Sequence, residues 1–273
     1  MYATFANGNR SATLGAMDNI LTMAADNGAS FWLIVSATFI LAGAVKGVSG
    51  LGLPTVAVGL LSQMMTPAEA AAILIVPSLV TNVWQMAAGP GLWRLGRRLW
   101  RMLAGICAGT WGAGWLLAGH APGQWAAGAL GVALLVYGWL GLVSLKLLVA
   151  PGRERLLAPL AGAMTGALTA LTGVFVIPAV PYLQGLRLDK NALVQAMGLA
   201  FTCSTAALAL NLAGSGQFSL GTAGTSLFAL LPALAGMMFG QWIRNKLSLS
   251  TFRTVFFSAL LLLGAHMVWR AFA

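Results

Sequence analysis

Ala42-Gly43-Ala44-Val45-Lys46-Gly47-Val48-Ser49-Gly50-Leu51-Gly52 sets one full positive charge deep inside an apolar segment and follows it with glycines at 47, 50 and 52. A charge in such a segment is costly unless a ligand or partner answers it, and glycine lets the backbone come close to that ligand. The stretch therefore reads as an anion site at a broken membrane helix. The segment before it is expected to stop being helical just after Lys46, and a second short helix is expected to follow Gly52 and Pro54.

The rest of the chain has the composition of a membrane protein. Hydrophobic residues make up 59% of its 273 positions and charged residues 7%, against roughly 25% charged residues in a soluble domain. Apolar segments occupy residues 31–46, 53–65, 68–89, 99–119, 124–147, 156–171, 173–186, 190–213, 220–242 and 250–270. They consume almost the whole length, and no room remains for a soluble catalytic domain.

The net charge of +10 comes mainly from basic residues in short loops, a pattern that sets membrane orientation and excludes a nucleic-acid surface. Arg94, Arg97, Arg98 and Arg101 form one cluster, Lys146, Arg153 and Arg155 a second, Arg187 and Lys190 a third, and Arg244 and Lys246 a fourth. All four are expected on the cytoplasmic side, and the loops around 120–123 and 214–217, free of Lys and Arg, on the outside. Cys107 and Cys203 lie in separate apolar segments far apart in sequence and read as small buried fillers, not a disulfide framework. The first thirty residues lack the order of a signal peptide; Leu14, Met17, Ile20 and Leu21 suit either an interfacial helix ended by Asn27-Gly28 or a polar tail.

Two pairs of segments are short, 31–46 with 53–65 and 156–171 with 173–186, and each is interrupted and followed by Pro54 or Pro178. With the loop charges, the first pair enters from outside and the second from inside. The expected architecture is all-α and polytopic: a polar or interfacial segment over 1–28, then two inverted repeats of about five helical segments, 29–150 and 151–273, each opening with a broken hairpin. Ala42-Gly43-Ala44-Val45-Lys46-Gly47 corresponds to Ala161-Gly162-Ala163-Met164-Thr165-Gly166.

The five acids, Asp18, Asp26, Glu69, Glu154 and Asp189, avoid the span centres. Carriers driven by protons or cations commonly hold a membrane carboxylate for the coupling ion, so an anionic substrate is favoured. Thr66-Pro67-Ala68-Glu69 is a capping box with proline at the first helical position, which gives Glu69 a structural role at a water-facing helix start. Asp189 reads as an acid at a helix start, and Pro77 and Pro232 free backbone carbonyls within long helices. His266 reads as a packed residue, and with His120 as the only other histidine neither a haem nor a metal site can be assembled. An intramembrane protease lacks its residues too.

The substrate-binding candidates are Lys46, Gly47, Ser49, Gly50 and Gly52 at the first break, Thr169, Thr172 and Gly173 at the second, and Asn82, Gln85 and Ser204 on the neighbouring long helices. Thr81, Thr202, Thr205 and Asn211 lie nearby in sequence. Ammonium, hydroxyl, amide and backbone N–H donors together can replace the hydration shell of a small oxyanion. Each Ser, Thr, Asn or Gln taken singly also suits helix-to-helix hydrogen bonding, and Lys46 alone could snorkel to an interface.

The broken hairpin Ala42 to Gly52, repeated as Ala161-Gly162 through Gly173, resembles the TauE/SafE sulfite exporter family, also called toluenesulfonate uptake permeases, over about residues 30–270. The resemblance implies a bacterial inner-membrane carrier, without a bound cofactor, for sulfite, organosulfonates or related sulfur anions. Thr169 and Leu171 stand where that family commonly has small residues. Export of such an anion gains roughly 2.3 kcal/mol per charge for each 100 mV of interior-negative potential, which would make a coupling ion unnecessary. Rival readings are an organosulfonate uptake permease with Trp84, Trp111 and Trp115 as apolar walls, a passive anion channel, and a non-transporting membrane subunit.

Overall fold

The computed structural model describes residues 28–117, 123–143, 148–244 and 246–272. The N-terminal segment, the loop carrying His120, and Lys146 lie outside the described residues. Among the described residues the protein is all-helical. In chain order the helices are α1 (Gly28–Ser49), α2 (Leu53–Leu61), α3 (Pro67–Ala87), α4 (Leu92–Leu117) and α5 (Gly123–Val143), then α6 (Glu154–Thr172), α7 (Ala179–Gly185), α8 (Lys190–Gly214), α9 (Leu220–Arg244) and α10 (Leu249–Phe272). By length and composition α1, α3, α5, α8, α9 and α10 can cross a membrane.

The first break lies later than its glycines suggest. α1 runs through Lys46, Gly47 and Val48 to Ser49, 22 residues in all, or about 33 Å at 1.5 Å per residue. Gly47 is held in the helix by packing: a Cβ there would lie 2.2 Å from the carbonyl oxygen of Met237. The chain turns only at Gly50 and Gly52, whose φ angles of 75° and 97° favour glycine. Of the four segments expected to be short, only the second members stay so, α2 with 9 residues and α7 with 7. α7 starts at Ala179, not Gly173, because residues 174–178 leave helical geometry ahead of Pro178.

Two parallel helix pairs organise the bundle, and both are seated on glycine. α1 lies along α9, where Cβ atoms at Gly43 and Gly47 would meet the Ala233 and Met237 carbonyl oxygens at 2.2 Å, and at Gly236 and Gly240 those of Ile40 and Ala44 at 2.1 Å. α4 lies along α6 in the same manner: Gly105 and Gly109 face Pro159 and Ala163, and Gly162 and Gly166 face Met102 and Ile106. Close backbone approach of this kind is how helices associate without water to drive them. Between the pairs, α3 packs on α8, α3 also meets α9 and α8 meets α4, while α5 packs on α10.

Local chemistry sets the helix ends. Thr66 and Glu69 form the expected capping box, the Thr66 N–H donating to Glu69 Oε2 at 2.8 Å and the Glu69 N–H to Thr66 Oγ1 at 3.3 Å. Glu69 is nevertheless buried, at 7% exposure, not water-facing. Asp189 caps α8 by accepting from the Ala192 N–H at 2.9 Å. Pro77 interrupts α3, and Ser226 of α9 fills the gap: its hydroxyl donates to the Ile73 carbonyl at 2.7 Å and accepts from the Val76 N–H at 2.9 Å.

Basic residues gather at one end of the bundle. Arg98 of α4 pairs with Glu154 of α6 at 2.8 Å, and Gln195 of α8 donates to the Met86 carbonyl at the end of α3 at 2.9 Å. The Val149 N–H meets the Gly185 carbonyl at 3.1 Å, and α9, parallel to α1, brings Arg244 to the same end. At the other end Arg270 donates to the Gln63 carbonyl at 3.2 Å. His266 is exposed on α10, not packed, since the face it occupies looks away from α5. Cys107 and Cys203, remote in sequence, are free thiols whose sulfurs lie 3.6 Å apart where α4 meets α8.

Candidate functional site

The side chain of Lys46 points inward. It stands in the last turn of α1 and reaches toward α3, where it is 5% exposed. Its ammonium donates to Thr81 Oγ1 at 3.0 Å and to Asn82 Oδ1. It does not snorkel, because two of its three N–H donors engage groups inside the bundle.

Those partners belong to a longer polar chain across the two central helices. Asn82 Nδ2 donates to Ser78 Oγ at 2.9 Å and lies 3.4 Å from Thr205 Oγ1; Ser78 and Thr205 are 3.1 Å apart. Thr81 and Thr205 also return hydrogen bonds to their own helices, at Pro77 and Phe201, both 2.7 Å. Ser78 and Thr205 fall just past the midpoints of α3 and α8. Through this chain the lysine is linked to the middle of α3 and α8, and Thr81 and Asn82, which accept from it, are neutral.

Other candidates stand around this chain in different ways. Gln85, one turn from Thr81 and Asn82, donates from Nε2 to the Val194 carbonyl at 3.2 Å and leaves its buried Oε1 without a partner. A Cβ at Gly50 would be 3.9 Å from that Nε2, so the break at the end of α1 lies beside Gln85. Ser204 is fully buried with its hydroxyl unpartnered. Ser49 closes the break: its hydroxyl donates within 2.9 Å of the Val45 and Leu51 carbonyls and accepts from the Leu51 N–H. Gly47 serves the contact with α9, and Gly52 supplies the left-handed cap of α2.

The second break lies elsewhere. Thr169 and Thr172 turn their hydroxyls onto the Thr165 and Leu168 carbonyls one helical turn back, each at 2.7 Å. Gly173, left-handed with φ 72°, packs on Ala71 in the first turns of α3. Ala71 and Asn82 are eleven residues apart on one helix, about 16 Å along its axis. The two breaks therefore sit toward opposite ends of α3 and do not form one ligand shell.

Several polar residues expected near the site have other work. Thr202 bonds the Gly198 carbonyl at 2.7 Å, and the Asn211 side chain rests on Gly114 of α4. Trp84 and Trp115 are 72% and 78% exposed and Trp111 is half exposed, so these rings coat the outside of the bundle and do not wall a cavity. Ser78 and Gln195 were passed over in the sequence. A serine one turn before an asparagine marks Ser78; a glutamine in the second turn of an otherwise apolar helix marks Gln195.

A buried ammonium held by neutral side chains can attract an anion and give up its present partners to it. Comparison with curated proteins and with solved structures returned no match. A family model described as sulfite exporter TauE/SafE matches residues 35–267. With its multi-pass helical bundle and with nearly its whole length matched, the chain belongs to the sulfite exporter TauE/SafE family.

Proposed function

We propose that the protein is a secondary transporter that exports a small sulfur-containing oxyanion, sulfite or an organosulfonate, across the bacterial inner membrane, with Lys46 as the charge that receives it. The observation that carries this reading is the buried Lys46 ammonium, bound to Thr81 and Asn82 inside the bundle. Its partners are neutral, so an arriving anion neutralises a charge and does not displace a fixed carboxylate. Ser204 Oγ on α8, buried and unpartnered, has a hydroxyl proton free to donate to an anion.

The helix pairing supports two inverted repeats, with α1 to α5 matching α6 to α10. Exchanging the halves turns the α1–α9 pair into the α6–α4 pair and maps α3–α8 and α5–α10 onto themselves. Under this reading the breaks after Ser49 and Thr172 are equivalent points near opposite membrane faces, which suits a pathway opened at each end in turn. The gathering of basic clusters at one end supports a cytoplasmic placement of that end. The outward tryptophans remove the sequence-based argument for an aryl-lined uptake cavity.

The test is flux of labelled sulfite and of an alkyl sulfonate in liposomes holding the purified protein. Saturable counterflow that falls at least ten-fold in Lys46→Ala, with the variant still folded by thermal unfolding, is expected. Undiminished flux in Lys46→Ala would remove the lysine from the pathway, and unsaturable currents would make the protein a channel.

A further inference from the structure

Outside the bundle core, the first turns of α4 and α6 form a corner with an unusual balance of charge. Arg94, Arg97, Arg98 and Arg101 are spaced three and four residues apart, so they share one stripe of α4. Arg153 and Arg155 stand beside them at the start of α6. The carboxylate of Glu154 is already taken by Arg98 in a two-point contact, Nε to Oε1 at 2.8 Å and Nη2 to Oε2 at 3.0 Å. Six guanidinium groups against one paired carboxylate repel one another unless an outside anion joins them.

Two grooves open at this corner and meet at Trp100. One, of about 790 Å³, runs between Trp93, Arg97, Trp100, Met86 and Leu199 and is almost wholly apolar. The other, of about 360 Å³, is bordered by Arg98, Arg101, Glu154 and Arg155. Trp93 and Trp100 are 78% and 57% exposed, and the guanidinium of Arg97 lies 5.9 Å over the Trp93 ring and that of Arg101 5.4 Å over the Trp100 ring. Tryptophan and arginine together occupy the headgroup level of a bilayer, with apolar surface on one side and charge on the other.

We propose that this corner is a binding site for an anionic glycerophospholipid, its phosphodiester held by Arg97 and Arg101 and one acyl chain lying in the groove between Trp93 and Trp100. The apolar groove excludes a free inorganic anion as the best fit, since that would leave the groove unfilled. A basic pocket between helices at the headgroup level has the chemistry for a lipid phosphate. The site is separate from Lys46 and does not depend on the transport reading.

Native mass spectrometry of the full chain, titrated in neutral detergent with phosphatidylglycerol or phosphatidylcholine, tests it. Wild-type protein is expected to hold phosphatidylglycerol at least ten-fold more tightly than phosphatidylcholine. Arg97→Gln with Arg101→Gln should erase that preference and Trp100→Ala should weaken both lipids at least several-fold, whereas Arg244→Gln, at the same end but off the groove, should change neither. Equal binding of the two lipids, or equal loss in Arg244→Gln, would overturn the site as diffuse charge attraction. Displacement of the lipid by millimolar inorganic phosphate or sulfite would overturn it in favour of a small-anion site. Should the double variant fail to fold, the Arg97→Gln and Arg101→Gln single variants decide the matter by the same readout.

Discussion

Lys46 and Asn82 are 36 residues apart in the chain, yet the ammonium of one donates to the side-chain oxygen of the other inside the bundle. The contact ties the end of the first long helix to the central one. It also fixes what an anion must replace in order to reach the charge.

Asn82→Asp tests that relationship. A carboxylate at this place gives Lys46 a permanent counter-ion, and an arriving oxyanion then meets competition and like-charge repulsion. Liposome flux of sulfite is expected to fall at least ten-fold, and Asn82→Ala to cost less. Equal flux in Asn82→Asp and wild type would place the pathway away from this pair.

Lys46→Arg should also impair transport. The guanidinium is a planar fork that cannot reproduce a compact ammonium between Thr81 and Asn82, even though the charge is kept. Flux several-fold below wild type is expected in the counterflow assay; full activity would mean that charge alone matters.

The glycine ledges make a stability prediction. A methyl at Gly47 or Gly166 would fall 2.2 Å or 2.1 Å from a backbone oxygen of the facing helix, and forcing the helices apart is expected to cost about 1–3 kcal/mol. At Gly112 of α4 nothing stands within 4 Å, so Gly112→Ala should be neutral or stabilise by up to about 1 kcal/mol through helix propensity. Thermal unfolding in detergent of the three alanine variants checks the ranking, which fails if Gly112→Ala is the most harmful.

Ser226 and Pro77 should behave as a coupled pair. Ser226→Ala leaves the Ile73 carbonyl, which Pro77 cannot serve, without its donor; the expected loss is about 1 kcal/mol. Adding Pro77→Ala restores an N–H in α3 and should recover much of that loss. A purely additive double mutant in the unfolding assay would show the two sites to be independent.

Cys107 and Cys203 offer a test of packing. With the sulfurs 3.6 Å apart, a membrane-permeant azo oxidant such as diamide should take both thiol hydrogens and join the pair in one chain, itself becoming the hydrazine. Mass spectrometry after alkylation is expected to show both cysteines protected together. Continued labelling of both would contradict the contact of α4 with α8.

Much of this molecule was legible in its sequence. The ten apolar segments correspond to ten helices among the described residues, the capping box at Thr66 and the cap at Asp189 are present, and Lys46 is turned inward beside Thr81 and Asn82. Helix ends were harder. Gly47 and Val48 read as breakers because propensity is local, whereas Gly47 is kept helical by a neighbour nearly two hundred residues later. The four-residue glycine spacing in α1, α4, α6 and α9 was the available sign of those pairs. Thr169 and Thr172 looked like ligands from their place at a break, but hydroxyls on a helix in an apolar setting readily find their own backbone. The separation of the two breaks along α3 depends on three-dimensional direction, which spacing alone does not carry.

The interlocking of α1 with α9 and of α4 with α6 bears on how the protein is made. When the ribosome has threaded the first five helices into the bilayer, both glycine-lined flanks of that portion still lack their mates. α4 is completed once α6 has been inserted, but α1 must wait until Arg244 has left the ribosome. Insertion and assembly are consequently separate stages, and a nascent chain stalled before α9 would expose a sticky helix that quality-control proteases can recognise.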